Sequence, residues 1–439
     1  MSETSADDSD TPDEDSSTPA VAPEVPATTK PSKHKRGRSG TANWHMSRES
    51  VSISITDVAK WTEKECHDFL VDVRFGSLDN VRCPHCGTIE EHYWRPLQNR
   101  WKCKGCGSTF SVTSGTVFTD RKRTLNDTIT SVLMWVNSAA GQPALELKRH
   151  MNTTYNTVFV LQHKLREALV RGYNVGILNG EVEMDGAHQS GRRAAEKRGV
   201  PQGSRPVDKD TPVKELKASM TTQTGRAEER KKRADGVINP EFGQRLPKDR
   251  RILFAIRKRS GTRGKGACAT RVAIGLAETA PIAEAIMKDF VAMPESYLNT
   301  DTSPAYTELG KNYKAHLTVE HSKTLSGDNG ENNNQAEELN WRYDRAEKGV
   351  YLSIRPKYML DYAVETAFRA DTRRLPNGQQ LRLALNVALS VGESLFWKGF
   401  TRGHHREAEL IHPAPQPAKP SGPKKGRHPI PAMNGRPPR

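Results

Sequence analysis

No apolar run in the 439-residue chain approaches the roughly 18 to 20 residues that a membrane-spanning helix needs, which excludes an integral helical membrane protein. The N-terminus is acidic and has no apolar stretch, so no secretory signal is expected. Six cysteines are too few for a disulfide scaffold. Hydrophobic residues make up 35% and aromatics 6%, a lean content from which part of the chain is expected not to fold. Bases are missing from the first 29 residues, which carry eight acids.

Everything after that acidic stretch is strongly basic. The formal charge is +15 overall, so the rest of the chain carries +23. Such a balance points to a polyanionic partner, nucleic acid first, against the alternative of a merely soluble basic protein. The length suggests two to four domains.

Composition and periodicity divide the chain. Residues 1–55 read as a disordered tail running from acidic to basic, with Lys33-His34-Lys35-Arg36-Gly37-Arg38 near its middle. Residues 56–80 hold a helix, opened by a capping box from Thr62 to Glu65 and carrying Cys66, Phe69, Leu70 and Val73 on one stripe. Cys66 reads as a small core residue, and so does the lone Cys268. Residues 123–175 read as a helix-turn-helix region: a stripe at Ile129, Val132, Leu133 and Val136, a short helix from Ala144 to His150, a turn, and a second helix from Thr154 to Leu169. Residues 180–350 alternate strand and helix. Expected strands are Glu181–Ala187, Arg251–Lys258, Thr270–Leu276, Ser296–Thr300 and Ala315–Glu320, with a helix over Pro281–Val291. Within them lies a loop at 190–233 with thirteen bases and six acids. Residues 351–405 are helical, and 406–439 form a second disordered tail, Pro-rich and basic.

Residues 81–122 contain the most specific local pattern. Cys83, Cys86, Cys103 and Cys106 form two CxxC pairs separated by sixteen residues. Four thiolates so spaced surround one Zn²⁺ tetrahedrally at roughly 2.3 Å and leave no open position, so the metal is structural. Tyr93-Trp94-Arg95 and Arg100-Trp101-Lys102 read as short strands between the pairs. Their bases suit DNA contact, whereas Trp94 and Trp101 read as packing on the knuckle core.

In the helix-turn-helix reading the second helix enters a major groove. Tyr155, Asn156, Gln162 and Lys164 are its candidates for the exposed face, and Lys148, Arg149, Lys164 and Arg166 for phosphate contact. An ordinary helical hairpin is the alternative.

Three acids are spaced Asp185-x115-Asp301-x35-Glu337. The two aspartates lie at strand ends and Glu337 in the first turns of a helix, so a sheet-based fold can bring them to one point. Hard carboxylate oxygens suit Mg²⁺ or Mn²⁺, and two such ions serve phosphodiester chemistry. Spacing by itself leaves three ordinary surface acids as the alternative.

An ordered set of motifs narrows this. The CxxC ribbon is followed by Phe110-Ser111-Val112-Thr113-Ser114-Gly115-Thr116-Val117-Phe118 and then by Glu183-Met184-Asp185-Gly186-Ala187. His321-Ser322, Asn333-Asn334-Gln335-Ala336-Glu337, Arg345-Ala346-Glu347-Lys348-Gly349, Tyr358 to Arg374 and Trp397-Lys398-Gly399 come later. Over roughly residues 55–405 the chain resembles bacterial insertion-sequence transposases that have an N-terminal zinc ribbon and an ISXO-two-like DDE domain. The resemblance implies an α/β multidomain protein with a zinc ribbon, a helix-turn-helix and an RNase H-like mixed sheet with flanking helices. It implies Asp185, Asp301 and Glu337 as metal-binding catalytic acids. Asn334 matches an asparagine of the same signature; either it or Glu337 supplies the third ligand, with Glu337 favoured because a carboxylate binds Mg²⁺ more strongly than an amide. Asp344 stands where family members carry a base, and Arg345 is its substitute. The implied protein binds double-stranded DNA, at transposon ends and target, as a homo-oligomer. It cuts and joins strands and works in the bacterial cytoplasm at the nucleoid. A zinc-ribbon regulator with a dead catalytic domain, and a nuclease that cuts without joining, are the rivals.

Overall fold

The computed structural model describes residues 44–89, 92–190, 250–262, 265–319, 332–406 and 408–412. The expectations for the first 43 residues, the 190–233 loop beyond Ser190, His321-Ser322 and the chain after His412 lie outside them. Two short tail segments are corrected. The expected tail over 1–55 includes a folded stretch, in which the Ser52 backbone N–H donates to Asn377 Oδ1 at 2.9 Å. The expected tail from 406 begins with a strap: Arg406 pairs with buried Asp361, Arg251 with Glu409 at 2.6 Å, and the His412 N–H bonds the Ile274 carbonyl at 2.7 Å.

Helices α1 (Ile55–Ala59) and α2 (Glu63–Phe75) lead in, and α2 starts at the Thr62–Glu65 capping box. Cys66, Leu70 and Val73 are buried and Phe69 is half-buried, so the stripe faces the core as its spacing requires. The ribbon is a three-stranded antiparallel sheet of β1 (Tyr93–Arg95), β2 (Arg100–Lys102) and β3 (Thr109–Phe110). Then come α3 (Leu125–Asn137), α4 (Ala144–His150) and α5 (Tyr155–Gly172).

The second sheet has five strands: β4 (Glu181–Ser190), β5 (Arg250–Arg259), β6 (Ala267–Gly275), β7 (Tyr297–Asp301) and β8 (Ala315–Val319). Their order is β6-β5-β4-β7-β8. The first three run antiparallel and the last two parallel to β4. This three-strand meander followed by two parallel strands is the mixed sheet of the RNase H-like class. Helix α6 (Ala280–Phe290) and the short α7 (Pro304–Thr307) lie on one face, sharing a core with Val182, Met184, Phe254 and Leu298. On the other face α8 (Asn334–Ala346) and α9 (Met359–Thr372) pack on Leu253, Ala255, Val272 and Ile274. Alternation along the strands decides this division, because successive side chains point to opposite faces. Helix α10 (Asn377–Ser390) joins α3, α5 and the ribbon in the same large core as α8 and α9.

Cys268 is exposed, which corrects its reading as a core residue. It sits at the ragged start of β6, where Ala267 rather than Cys268 points inward.

Candidate active site and nucleic-acid interface

Strand β4 divides its labour by face. Val182 and Met184 are fully buried in the α6 core, which turns Glu183 and Asp185 towards α8. Glu183 is fully buried. It accepts the backbone N–H groups of Gln335 at 2.7 Å and Ala336 at 3.2 Å and pairs with Arg259. A carboxylate from the sheet thus caps the positive end of α8. Burial raises its pKa, against the Arg259 bond and charge and the two amides.

Asp185 accepts a bond from Asn340 Nδ2 at 2.7 Å, so α8 is held to β4 at two heights. The parallel register pairs Glu183 with Asn299; two residues on, Asp185 and Asp301 come level where the ladder has ended. Asp301 is the last residue of β7, and its Oδ1 accepts the Ser303 N–H at 3.0 Å. Burial pushes the Asp185 pKa up to about 6, opposed by the Asn340 bond and helped by the charges of Asp301, Glu337 and Glu278. The acids named on spacing grounds therefore face one another electrostatically, and a fourth joins them.

That fourth acid, Glu278, was not anticipated. It lies in the turn between β6 and α6, accepts from Tyr306 Oη at 2.7 Å and faces His188 Nε2 at 3.5 Å. Gly186 makes room for the arrangement. A Cβ there would stand 2.7 Å from Tyr306 Oη and 3.1 Å from the Glu278 carboxyl. In the fold, the buried Tyr306 hydroxyl finds its hydrogen-bond partner in Glu278.

Glu337 is half-buried on the first turn of α8. Asn334 is exposed at the head of that helix, and Asn333 holds the N-cap position. The residue of α8 that touches Asp185 is Asn340.

Among the described residues the four cysteines are the one set of three or more candidate ligands whose atoms all lie within 4.8 Å of one another. Cys83 and Cys106 sulfurs are 3.8 Å apart, and Cys86 and Cys103 sulfurs 3.5 Å. A tetrahedron of sulfurs about 2.3 Å from a central ion has edges of about 3.8 Å, so this cluster fits zinc. Burial raises the Cys83 thiol, whereas the Thr88 hydroxyl and backbone lower Cys86. The carboxylate set fits a hard divalent cation by its oxygen chemistry and by the like charges crowding Asp185.

The ribbon is anchored rather than free. Buried His67 on α2 lies against Trp94 at 4.8 Å and Trp101 at 5.0 Å between ring centroids. Trp101 is buried and Trp94 is 40% exposed, so the packing reading holds fully for Trp101 and by one face for Trp94.

Helices α4 and α5 meet through a short turn, with Thr154 capping α5 through the Thr157 N–H. Lys148, Arg149, Tyr155 and Asn156 are exposed. Three expectations change. Gln162 is buried and donates to the Gln142 carbonyl at 3.0 Å. Arg166 is fully buried and bonds Glu365 at 2.6 Å. Lys164 is half-buried, and burial lowers its pKa. The exposed part of α5 is its first turn, since α9 and the Trp397 aromatic cluster cover the rest; His163 stacks on Trp397 at 4.3 Å. Arg345 is exposed on α8, with its guanidinium 4.6 Å from the centre of the Trp341 ring.

Residues 177–371 match the ISXO2-like transposase domain, and residues 61–109 match the transposase zinc-ribbon domain. A 36-residue stretch is 50% identical to the small ribosomal subunit protein eS31 of Aeropyrum pernix, covering 8% of this chain and 56% of that protein. A 32-residue stretch is 50% identical to eS31 of Sulfolobus acidocaldarius, covering 7% and 46%. The chain spans about half the length of these curated relatives. No solved structure matches it. Among the described residues no helix is long and apolar enough to cross a membrane.

Proposed function

We propose, from the premise that the chain belongs to the insertion-sequence transposases, that it binds the terminal inverted repeats of a mobile element and carries out metal-dependent cleavage and strand transfer on them. The observation that carries the reading is the half-buried Asp185, whose carboxyl feels the like charges of Asp301, Glu337 and Glu278. Asp185 lies within β4 rather than at its end, just past the last β4–β7 pair; carboxylates brought together there repel one another, and a cation offsets that repulsion.

Asp185, Asp301 and Glu337 would hold two Mg²⁺ or Mn²⁺ ions. Such a pair activates water or a 3′-hydroxyl and stabilises the leaving oxygen of an in-line displacement. The chain's own residues set the geometry. Asn340 fixes one oxygen of Asp185. Glu183, spent on the head of α8, sets the height of Glu337. The Ser303 N–H orients Asp301. Asn334 belongs to the helix entrance rather than to the ligand set.

DNA approaches across the exposed first turn of α5, where Tyr155 and Asn156 reach base edges, as the N-terminal residues of a recognition helix do. Arg149, and Lys164 by its half-exposed ammonium, contact phosphates; Arg345 extends the basic path along α8. The zinc ribbon holds the recognition helices in place through α2. Joining two ends requires more than one protomer, so the active form is a multimer on DNA at the bacterial nucleoid.

The test uses DNA carrying the inverted repeats that flank the gene, with Mg²⁺ or Mn²⁺. Strand cleavage and joining by the wild type, both abolished in Asp185→Ala, is the expected result. Cleavage without joining would assign a nuclease. Specific binding by both proteins with cleavage by neither would assign the regulator.

A further inference from the structure

The indole of Trp341 is 55% exposed on the same helix as Glu337, one turn further along and next to the Asn340 that holds Asp185. A large aromatic left open to water one turn from catalytic acids asks for a partner. Its surroundings say what kind. The groove beside the ring is lined by Arg342, Arg345, Lys348 and Arg369 against the single acid Asp344. Arg342 is paired with Glu338, Lys348 with Asp344 and Arg369 with Glu365. Arg345 has no carboxylate partner among the described residues and instead lies over the Trp341 ring.

A flat π surface with a guanidinium beside it matches one polyanion component well, a nucleobase with its phosphate. Within intact duplex the base faces are already stacked on their neighbours, so only an unpaired nucleotide offers a free face. We propose that Trp341 and Arg345 form a stacking platform for an unpaired nucleobase at a DNA end, which keeps that strand beside Asp185 and Glu337. The platform is indifferent to base identity, because every base has a π face. The proposal rests on the reading of the chain as an enzyme acting on DNA ends.

The test uses the full-length protein in an Asp185→Asn background, which prevents turnover. The probe is inverted-repeat DNA with an unpaired terminal 2-aminopurine, alongside the same DNA fully paired. Binding is expected to quench the unpaired 2-aminopurine. Trp341→Ala abolishes the quench and weakens frayed-end binding by about 5- to 100-fold, the loss of one stacked base, with paired DNA bound as before. Trp341→Phe restores most of both signals, and an unchanged thermal midpoint shows that the alanine variant is folded. Equal quenching by Trp341→Ala would overturn the proposal, as would equal weakening for frayed and paired DNA. Loss of a DNA-independent dimer in Trp341→Ala, with quenching intact, would reassign the surface to a second copy of the chain. Wild-type cleavage of the same DNA separates the two readings. Trp341-dependent quenching without cleavage keeps the platform and removes the enzyme; cleavage without such quenching does the reverse.

Discussion

Asp185 is held in the fold at a cost. Partial burial, with the charges of Asp301, Glu337 and Glu278 nearby, pushes its pKa up to about 6 from an ordinary value of 3.8. A raised folded-state pKa means that the native protein binds this proton more tightly than the unfolded chain does. The penalty is therefore absent below about pH 4, grows between 4 and 6, and is complete above 6. Asp185→Asn removes it and keeps an oxygen for Asn340. In magnesium-free buffer with zinc retained, the variant should exceed the wild type in stability by about 1 to 3 kcal/mol at pH 8, with the gain fading towards pH 4. Added Mg²⁺ should raise the thermal midpoint of the wild type and leave the variant where it was. A variant less stable than the wild type at pH 8 would mean that Asp185 is compensated in the native protein. The aspartate itself was legible from its place at the end of an expected strand. Its neighbour Glu278 was not, because a turn glutamate bears no fixed spacing to the other acids; only Tyr306 and the bare backbone of Gly186 reveal why it is there.

Among the elements, α8 decides whether the acids meet. It is fastened to β4 by Glu183 below and Asn340 above, and Arg257 ties it to β5 through Glu338 at 2.7 Å and the Gln335 carbonyl at 2.8 Å. Glu183→Ala leaves two amides at the helix head without their acceptor and takes one carboxylate from Arg259. The cost should be about 3 kcal/mol in urea unfolding, and cleavage should fall with it although no proposed ligand has changed. A variant of normal stability that still cleaves would show that α8 is positioned from elsewhere. The strands of this domain were legible to within a few residues, since alternation and turn residues are local signals. The structural role of Glu183, two residues before Asp185, was not. That depends on where a helix 150 residues later sets its first turn. The helix-turn-helix shows the same limit. Val158, Leu165 and Leu169 are buried and Leu161 half-buried on one face of α5, as the helical spacing of these apolar residues requires. The burial of Arg166 on another face follows from α9, whose Glu365 lies 199 residues away in sequence, and Gln162 is held by the Gln142 carbonyl before α4.

At the scale of the whole molecule α5 and the five-stranded sheet share one apolar core, and buried polar contacts cross it. Arg166 bonds Glu365, Glu167 accepts from Ser394 Oγ at 2.6 Å, and Asn174 bonds the Val272 carbonyl at 2.8 Å. On the proposed reading, DNA held at α4 and α5 would be held by the same packed core that carries Asp185. Two arginines of the same region then separate binding from architecture. Arg149 is exposed on α4, so Arg149→Ala should leave the thermal midpoint unchanged, weaken every DNA sequence about equally, and reduce the slope of log affinity against log salt by about one. Arg166 is buried, and Arg166→Ala leaves Glu365 with Arg369 as its remaining charged partner. It should cost about 3 kcal/mol of stability and lower DNA affinity only through loss of folded protein, with the salt slope of the folded fraction unchanged. Measuring midpoints and salt slopes for both variants checks the pair together. A reduced slope in Arg166→Ala would place that side chain on the DNA rather than in the core, and the recognition helix would then have to be more open than the fold makes it.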